Sequence, residues 1–292
     1  MLSVLIPIYN FDVRPLLEAL HRQCLRSGVD FELICFDDGS TDSFLKQNAS
    51  IAQYTHCTYE VLPQNVGRSR IRNLLADAAI GEWLLFLDCD SQLASEQFIE
   101  NYLSHRQDRR VLCGGTIYAP HPPKDQRLHL HWLYGSKREA LRAEQRMRKD
   151  QMGFTSNNFM IQKIYFNQIR FEEDIRQYGH EDTLFGLQAH AKEFEIFHLD
   201  NPVEHLGLEP WDVFLRKHRQ AIENLLKLQK EHPGVQTKLT KTFQQLERWG
   251  MAPALRFFHQ IFGKVLYKQL GGSSPNLRLM DLYRLGERSL MK

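Results

Sequence analysis

The sequence predicts an α/β protein with a mostly parallel central sheet and flanking helices, followed by a helical C-terminal extension. Three observations predict it. Apolar β-rich runs alternate with amphipathic helical segments through the first third of the chain; acidic clusters fall directly after two of those runs; and from Trp211 onward the periodicity is helical only.

The elements follow in order. Ser3 to Tyr9 is an apolar run closed by Asn10, and Asp12 is placed to cap a helix that carries Leu16, Leu17, Leu20 and Cys24 on one face and ends at Gly28. Phe31 to Phe36 is a second strand, followed by the turn Asp37-Asp38-Gly39-Ser40-Thr41-Asp42 and a short helix from about Ser43. Thr58 to Leu62 fits a third strand, and Ile71, Leu74, Leu75 and Ala78 make Arg68 to Ala79 helical. Gly81 stops that helix, and Glu82 to Leu87 is a fourth strand. Beyond it the reading gives a helix from Ser95 to His105, a strand from Val111 to Tyr118, and a break at Pro120 to Pro123. A long basic amphipathic stretch then runs from Leu128 to Lys149. Phe159 to Ile161 and Phe194 to Leu199 read as strands, with a helix from His180 to Lys192 between them. The extension has turns near Pro233-Gly234, Gly250 and Gly271-Gly272. The expected division is residues 1–208 and 209–292.

Composition narrows the class. The chain has 292 residues, 42% of them apolar, enough for a real core. Five dispersed cysteines with no CxxC pair argue against a disulfide framework or structural zinc and for a reducing compartment. No basic leader precedes the first strand, and no apolar run reaches the roughly 20 residues of a spanning helix. The expectation is a cytoplasmic protein, with peripheral contact at the inner membrane face as the alternative. Net charge is +2, but residues 236–292 hold ten Lys and Arg against three Asp and Glu.

Parallel sheets bind ligands at the carboxyl ends of their strands, where Asp37-Asp38 and Asp88-Cys89-Asp90 fall. Carboxylates one residue apart in such a turn can converge on a hard divalent cation, though a D-x-D alone is more often a solvated turn. The apolar run Trp83 to Leu87 favours the first reading by aiming the turn out of a buried strand. Asp37-Asp38-Gly39-Ser40 reads equally as a base-contacting turn or as an Asx turn with a helix cap. Asn65 to Asn73 is a glycine turn entering a helix with three arginines, a pattern that suits phosphate, and Arg68 and Arg72 share a face at i and i+4. Neither G-x-G-x-x-G after the first strand nor a P-loop is present.

In this order the motifs resemble glycosyltransferase family 2, the inverting nucleotide-sugar transferases of GT-A fold. The features are Pro7-Ile8-Tyr9-Asn10, Asp37 to Asp42, Asn65 and Gly67 with Arg72-Asn73, and the block Gly81 to Asp90. The resemblance implies that Asp38, with Asp37, contacts the nucleotide base, that Pro7 and Tyr9 line the base pocket, and that Arg68 or Arg72 faces base or diphosphate. It implies a metal, Mn2+ or Mg2+, at Asp88 and Asp90. Thr155-Ser156-Asn157-Asn158 is similar to the family's segment beneath the sugar, placing Asn158 near the donor. Gly179-His180-Glu181-Asp182 is similar to its G-x-E-D, making Asp182 the general base and Glu181 a ligand of donor or acceptor hydroxyls. His205 stands where several members carry a histidine that completes the metal site, and an imidazole there would favour manganese.

The activity so implied is inverting transfer of a sugar from a nucleoside-diphosphate donor, with UDP favoured, to a saccharide or lipid-linked acceptor hydroxyl in cell-surface polysaccharide or glycolipid synthesis. Three other classes stay open: a nucleotidyltransferase, which lacks its glycine- and lysine-rich loop here; a non-catalytic sugar-nucleotide-binding protein, which would need neither metal turn nor base; and nucleic-acid binding through the basic tail. Nucleic acid is nonetheless not an expected partner, because the aromatic residues do not form a base-stacking strand pattern. The basic, aromatic-rich segment around Phe257 reads either as a helix packed on its own protein or as an interfacial helix on an anionic leaflet. Cys89 in the metal turn is a candidate for oxidation. The sequence sets no oligomeric state.

Overall fold

The computed structural model describes residues 1–148, 153–173, 179–232 and 234–291; Lys149, Pro233 and Lys292, named above for the basic stretch, a turn and the terminal charge, lie outside them. The elements in chain order are β1 (Leu2–Ile8), α1 (Arg14–Ser27), β2 (Phe31–Asp37), α2 (Asp42–Asn48), β3 (Cys57–Val61), α3 (Arg68–Ala78), β4 (Trp83–Leu87), β5 (Ser91–Leu93), α4 (Phe98–Ser104), β6 (Arg110–Cys113) and β7 (Thr116–Ile117). There follow α5 (His129–Tyr134), α6 (Ala143–Met147), β8 (Asn158–Gln162), α7 (Lys163–Ile169), α8 (Glu181–Ala191), β9 (Glu195–His198), β10 (Val203–His205), α9 (Trp211–Glu231), α10 (Lys238–Arg248), α11 (Ala252–Leu270) and α12 (Leu277–Leu290).

Two compact units result. The first comprises Met1–Tyr118, Glu139–Arg176 and Glu181–Gly207; the second comprises Ala119–Arg138, Gln177–His180 and Leu208–Lys292.

The first unit is built on a seven-stranded sheet of order β3-β2-β1-β4-β8-β6-β9, in which β8 runs against its neighbours β4 and β6 while the other pairings are parallel. Strand β1 explains why: Leu2, Val4, Leu5, Ile6 and Ile8 are all fully buried, so both of its faces are covered, and a continuous apolar run is what such a central strand requires. Leu16, Leu17, Leu20 and Cys24 of α1 cover one face, and Ile71, Leu75 and Ala76 of α3 cover the other. At roughly 1.5 to 3 kcal/mol per buried aliphatic side chain, this layer fixes the register of the strand ends that follow.

The strand order reverses at β1, where β2 and β4 flank it, and the two ladders have unequal lengths. Pairing with β2 continues to Ile8↔Asp37, whereas pairing with β4 stops at Leu5↔Phe86. Ile8 directs its carbonyl to the β2 side, accepting from Asp38 N, so the odd-numbered residues of β1 face β4 and Pro7 has no N–H to give there. The reversal of strand order between β2 and β4 is the point where such sheets take ligands.

The strand expected from Val111 to Tyr118 is two strands. Gly115 adopts φ +87, and a methyl at that position would strike the guanidinium of Arg146, so the chain turns out of the large sheet there. Strand β7 enters a second sheet of order β5-β10-β7. The basic stretch from Leu128 is likewise not one helix: α5 is followed by a π-helical turn, Gly135–Glu139, and then by α6.

In the second unit, Leu130, Phe214, Leu215, Leu270 and Met280 form the core that ties α5, α9, α11 and α12 together. Among the described residues no helix is long and apolar enough to cross a membrane.

Candidate active site

At the carboxyl ends of β1 and β2 two loops are stitched together. Asn10 N donates to Ser40 Oγ at 2.8 Å and Thr41 N to Asn10 Oδ1 at 2.9 Å. Asp37 is fully buried: Oδ1 accepts from Ser40 N at 2.7 Å and Oδ2 from Tyr59 OH at 3.3 Å. The expected contact of Asp37 with a nucleotide base is thereby corrected, because its carboxylate closes an Asx turn inside the protein. Asp38 accepts from Val66 N at 2.6 Å and Gly67 N at 3.1 Å, which docks the glycine turn onto β2. Burial raises the Asp38 pKa, and these two N–H donors oppose the rise. Gly39, at φ +78, lets the backbone at Gln64 and Asn65 come this close. Tyr9 projects, 53% exposed, and Pro7 is half-buried beside it.

The two arginines on one face of α3 have separate fates. Arg72 is 2% exposed, donating from Nη2 to Asp88 Oδ1 at 2.6 Å and from Nη1 to Arg68 O at 3.3 Å. Of the two arginines expected to face base or diphosphate, Arg72 is therefore the one turned inward. Arg68, with half its side chain exposed, lies 4.0 Å from Glu181 Oε1 and lends its charge to Asp90.

The small sheet brings His205 opposite Ser91, and Asp90 Oδ2 lies 3.6 Å from His205 Nδ1. Burial by itself would raise the Asp90 pKa, but the hydrogen bond and charge of His205, with the charge of Arg68, bring it below the ordinary value. Burial would lower that of His205, and Asp90, Glu139 and Asp88 hold it up. Asp90 Oδ1 is buried with no hydrogen-bond partner. A methyl at Gly207 would collide with Asp90 Oδ2, so glycine is required for the chain to pass. Among the described residues no three His, Cys, Asp or Glu side chains are grouped as a metal needs. Of the expected trio Asp88, Asp90 and His205, Asp90 lies beside His205, whereas Asp88 Oδ1 is bonded by Arg72. Cys89 between them has its pKa pushed up, first by burial and then by the charges of Asp90 and Asp88. Its thiolate is suppressed, which disfavours the expected oxidation.

Asn158 is also corrected. It is fully buried, with Oδ1 accepting from Tyr102 OH at 2.6 Å and Nδ2 donating to Gly115 O at 2.9 Å and Asn201 O at 3.0 Å. Its side chain braces the ends of β6 and β8 from the interior. Its neighbour Asn157 is the half-buried one: its carbonyl accepts from Asp88 N at 3.0 Å, and its amide donates to Thr116 Oγ1 at 2.6 Å.

Asp182 begins α8 with Glu181. Burial, then the negative charge of Glu181, raise its pKa to about 6, against hydrogen bonding from Ser156 and the charge of Arg72. Its Oδ1 is buried without a partner. Arg72 thus bonds one carboxylate, Asp88, and lies near enough to bias another, Asp182. Sequence reasoning missed Ser156, Asn157 and Gly207. The Thr-Ser-Asn-Asn run carried a signal for the first two, whereas Gly207 carried none.

Among the described residues the first unit thus brings into one electrostatic neighbourhood two buried, partner-free carboxylate oxygens, Asp90 Oδ1 and Asp182 Oδ1, and the exposed Arg68. Over 125 residues, 40% of this chain and 19% of the relative, it is 33% identical to a poly(ribitol-phosphate) β-glucosyltransferase of Bacillus spizizenii. The aligned part is 19% of a Rickettsia conorii relative and 46% of a Haemophilus influenzae one, so the chain spans less than half the length of these curated relatives. The fold is similar to that of a mannosyltransferase from Pyrobaculum calidifontis solved with GDP-Man and Mn2+ (TM-score 0.59, 14% identity, 99% of this chain and 87% of that one). It is also similar to TarS of S. aureus solved with UDP-GlcNAc (TM-score 0.52, 18% identity, 99% and 91%). Residues 3–170, more than half of the chain, match the model of "Glycosyl transferase family 2", and the chain belongs to that family.

Proposed function

We propose that this protein transfers a sugar, with inversion, from a nucleoside-diphosphate donor to an acceptor hydroxyl, and that UDP is the carrier. The observation that carries the reading is that Arg72 bonds Asp88 and biases Asp182, so the carboxylates at the strand ends and the carboxylate of α8 belong to one electrostatic cluster. The UDP-GlcNAc complex of TarS supports the choice of UDP, and the GDP-Man complex of the mannosyltransferase makes GDP the competing carrier to test.

In this reading Tyr9 and Pro7 flank the base, and Asp38 shapes that pocket through the turn at Val66 and Gly67. Arg68, exposed and close to Glu181, offers its guanidinium to the diphosphate. The donor set of Asp90 Oδ1, buried without a partner, and the His205 imidazole fits a divalent cation of the manganese type. When bound there, such a cation supplies Lewis-acid stabilisation of the departing diphosphate. Asp182 takes the proton of the acceptor hydroxyl as its oxygen bonds to the anomeric carbon. The bond from that carbon to the phosphate oxygen breaks on the opposite face, and the electron pair leaves with the diphosphate. A pKa of about 6 keeps Asp182 mostly ionised at neutral pH yet basic enough to help. Glu181 holds a sugar hydroxyl.

The acceptor is a saccharide or lipid-linked hydroxyl. Incubating the protein with UDP- and GDP-sugars and Mn2+ should release the nucleoside diphosphate. Release of pyrophosphate from a nucleoside triphosphate and a sugar phosphate would replace this reading by nucleotidyl transfer, and binding without turnover would make the protein a sugar-nucleotide binder.

A further inference from the structure

Helix α11 has two opposite faces of different chemistry. Its inner face buries His259, Gly263, Leu266 and Leu270. That face is fixed to α12: His259 Nε2 lies 3.0 Å from Glu287 Oε1, and Arg256 Nε donates to Ser289 O at 2.8 Å. At 100° per residue the outer face falls on Phe257, Ile261 and Val265, which are 66%, 51% and 61% exposed. Exposed Lys264 and Lys268 share it, and the helix contains no Asp or Glu. Trp249 and Met251, both exposed, occupy the turn that leads into the helix.

Three large apolar side chains in one row would not be left in water on a helix whose other face is fully packed. The competing occupant is a second copy of this chain, but Lys264 and Lys268 on a helix without Asp or Glu give the row a net positive charge with no carboxylate of its own helix to meet it. A surface of opposite charge with an apolar interior answers both features. Beside Phe257, a pocket of about 260 Å³ lined by Phe243 and Met291 carries Arg256 and Arg288, with Glu247 also on its wall. Arg288 Nε is buried there without a partner. Arg288 stacks over the Phe243 ring at 4.3 Å and Arg256 is held by Ser289 O, so these two guanidinium groups add fixed positive charge beside the row. We propose that α11 lies flat on an anionic lipid bilayer, with Phe257, Ile261 and Val265 in the headgroup–acyl boundary and Lys264 and Lys268 among the phosphates.

The test is flotation of the full chain with vesicles of phosphatidylcholine and phosphatidylglycerol in equal parts, against phosphatidylcholine alone. The protein should rise with the first and not with the second, and added salt should release it. Removing each lysine, as in Lys264→Gln and Lys268→Gln, should weaken binding roughly fivefold. The triple variant Phe257→Ser, Ile261→Ser, Val265→Ser should no longer float; its circular dichroism and thermal unfolding should match the parent, as these side chains face outward. Equal flotation on both vesicles, or none by the parent protein, overturns the proposal. So does a dimer in sedimentation that the triple variant dissociates, which would assign the row to a second copy. Sugar transfer to a soluble acceptor is read separately, so failure here leaves the transfer reading untouched.

Discussion

Arg72 and Asp88 form an ion pair at 2.6 Å in which the arginine is 2% exposed and the aspartate keeps about a quarter of its side chain in solvent. The guanidinium orients the first carboxylate of the Asp88-Cys89-Asp90 turn from inside the protein while its charge reaches Asp182. Arg72→Leu leaves Asp88 facing an apolar side chain. The cost should be about 2 to 4 kcal/mol in urea unfolding, below the figure for a fully buried pair because Asp88 is partly hydrated. A change under about 0.5 kcal/mol would show that the pair does not organise the site.

Asp182→Asn should lower turnover about 100- to 10,000-fold, the range for a lost general base. Donor affinity, measured by calorimetry, should stay within about threefold, since the residue is assigned to the acceptor's proton. An equal loss of donor binding would remove Asp182 from that role.

The same residue predicts a pH dependence. Its folded pKa, about 6, lies above the ordinary 3.8, so folding favours the protonated carboxyl. The stability this contributes is complete below about pH 4 and lost as pH rises through about 6. Asp182→Asn should therefore be more stable than the parent at pH 7 by roughly 1 to 3 kcal/mol, and the gap should vanish by pH 4. The rate of transfer at low substrate should rise with pH and level above about 6. A flat stability difference from pH 4 to 7 would count against the raised value.

Gly207 and Asp90 share a space with no room for a methyl group. Mn2+ should raise the melting temperature of the parent protein, and Gly207→Ala, by displacing the Asp90 carboxylate, should reduce that rise. Asp90→Asn should abolish that rise. Retention of the full shift by both variants would remove Asp90 from the cation site.

Asn158→Ala strands the partners Gly115 O and Asn201 O in the interior and should destabilise by about 2 to 4 kcal/mol. In the fraction that folds, donor KM should be near that of the parent protein, whereas Asn157→Ala should raise it. A reversal of these two effects would return Asn158 to the donor site.

What the sequence by itself determined was the order of elements and the strand ends at which the acidic motifs fall. Apolar runs such as Trp83 to Leu87 and the 3.6-residue spacing of Ile71, Leu74, Leu75 and Ala78 are local signals, and a motif next to a strand end stays there in the fold. Asp38, Asp88 and Asp90 fall at strand ends for that reason, whereas Asp182 opens α8 with Glu181. Tertiary structure alone decided which member of each look-alike pair meets solvent. Arg68 and Arg72 share a helix face, yet Arg72 is drawn inward because Asp88 comes up beside it from β4. Asn157 and Asn158 are adjacent, and β8 turns the second into the interior towards Tyr102. The meeting of His205 with Asp90 depends on β5 and β10, three-residue strands too short to leave a periodic trace. Periodicity records which face of an element is apolar; how deep a polar group on that face ends up depends on what another segment brings to it, and that is settled only when the segments pack.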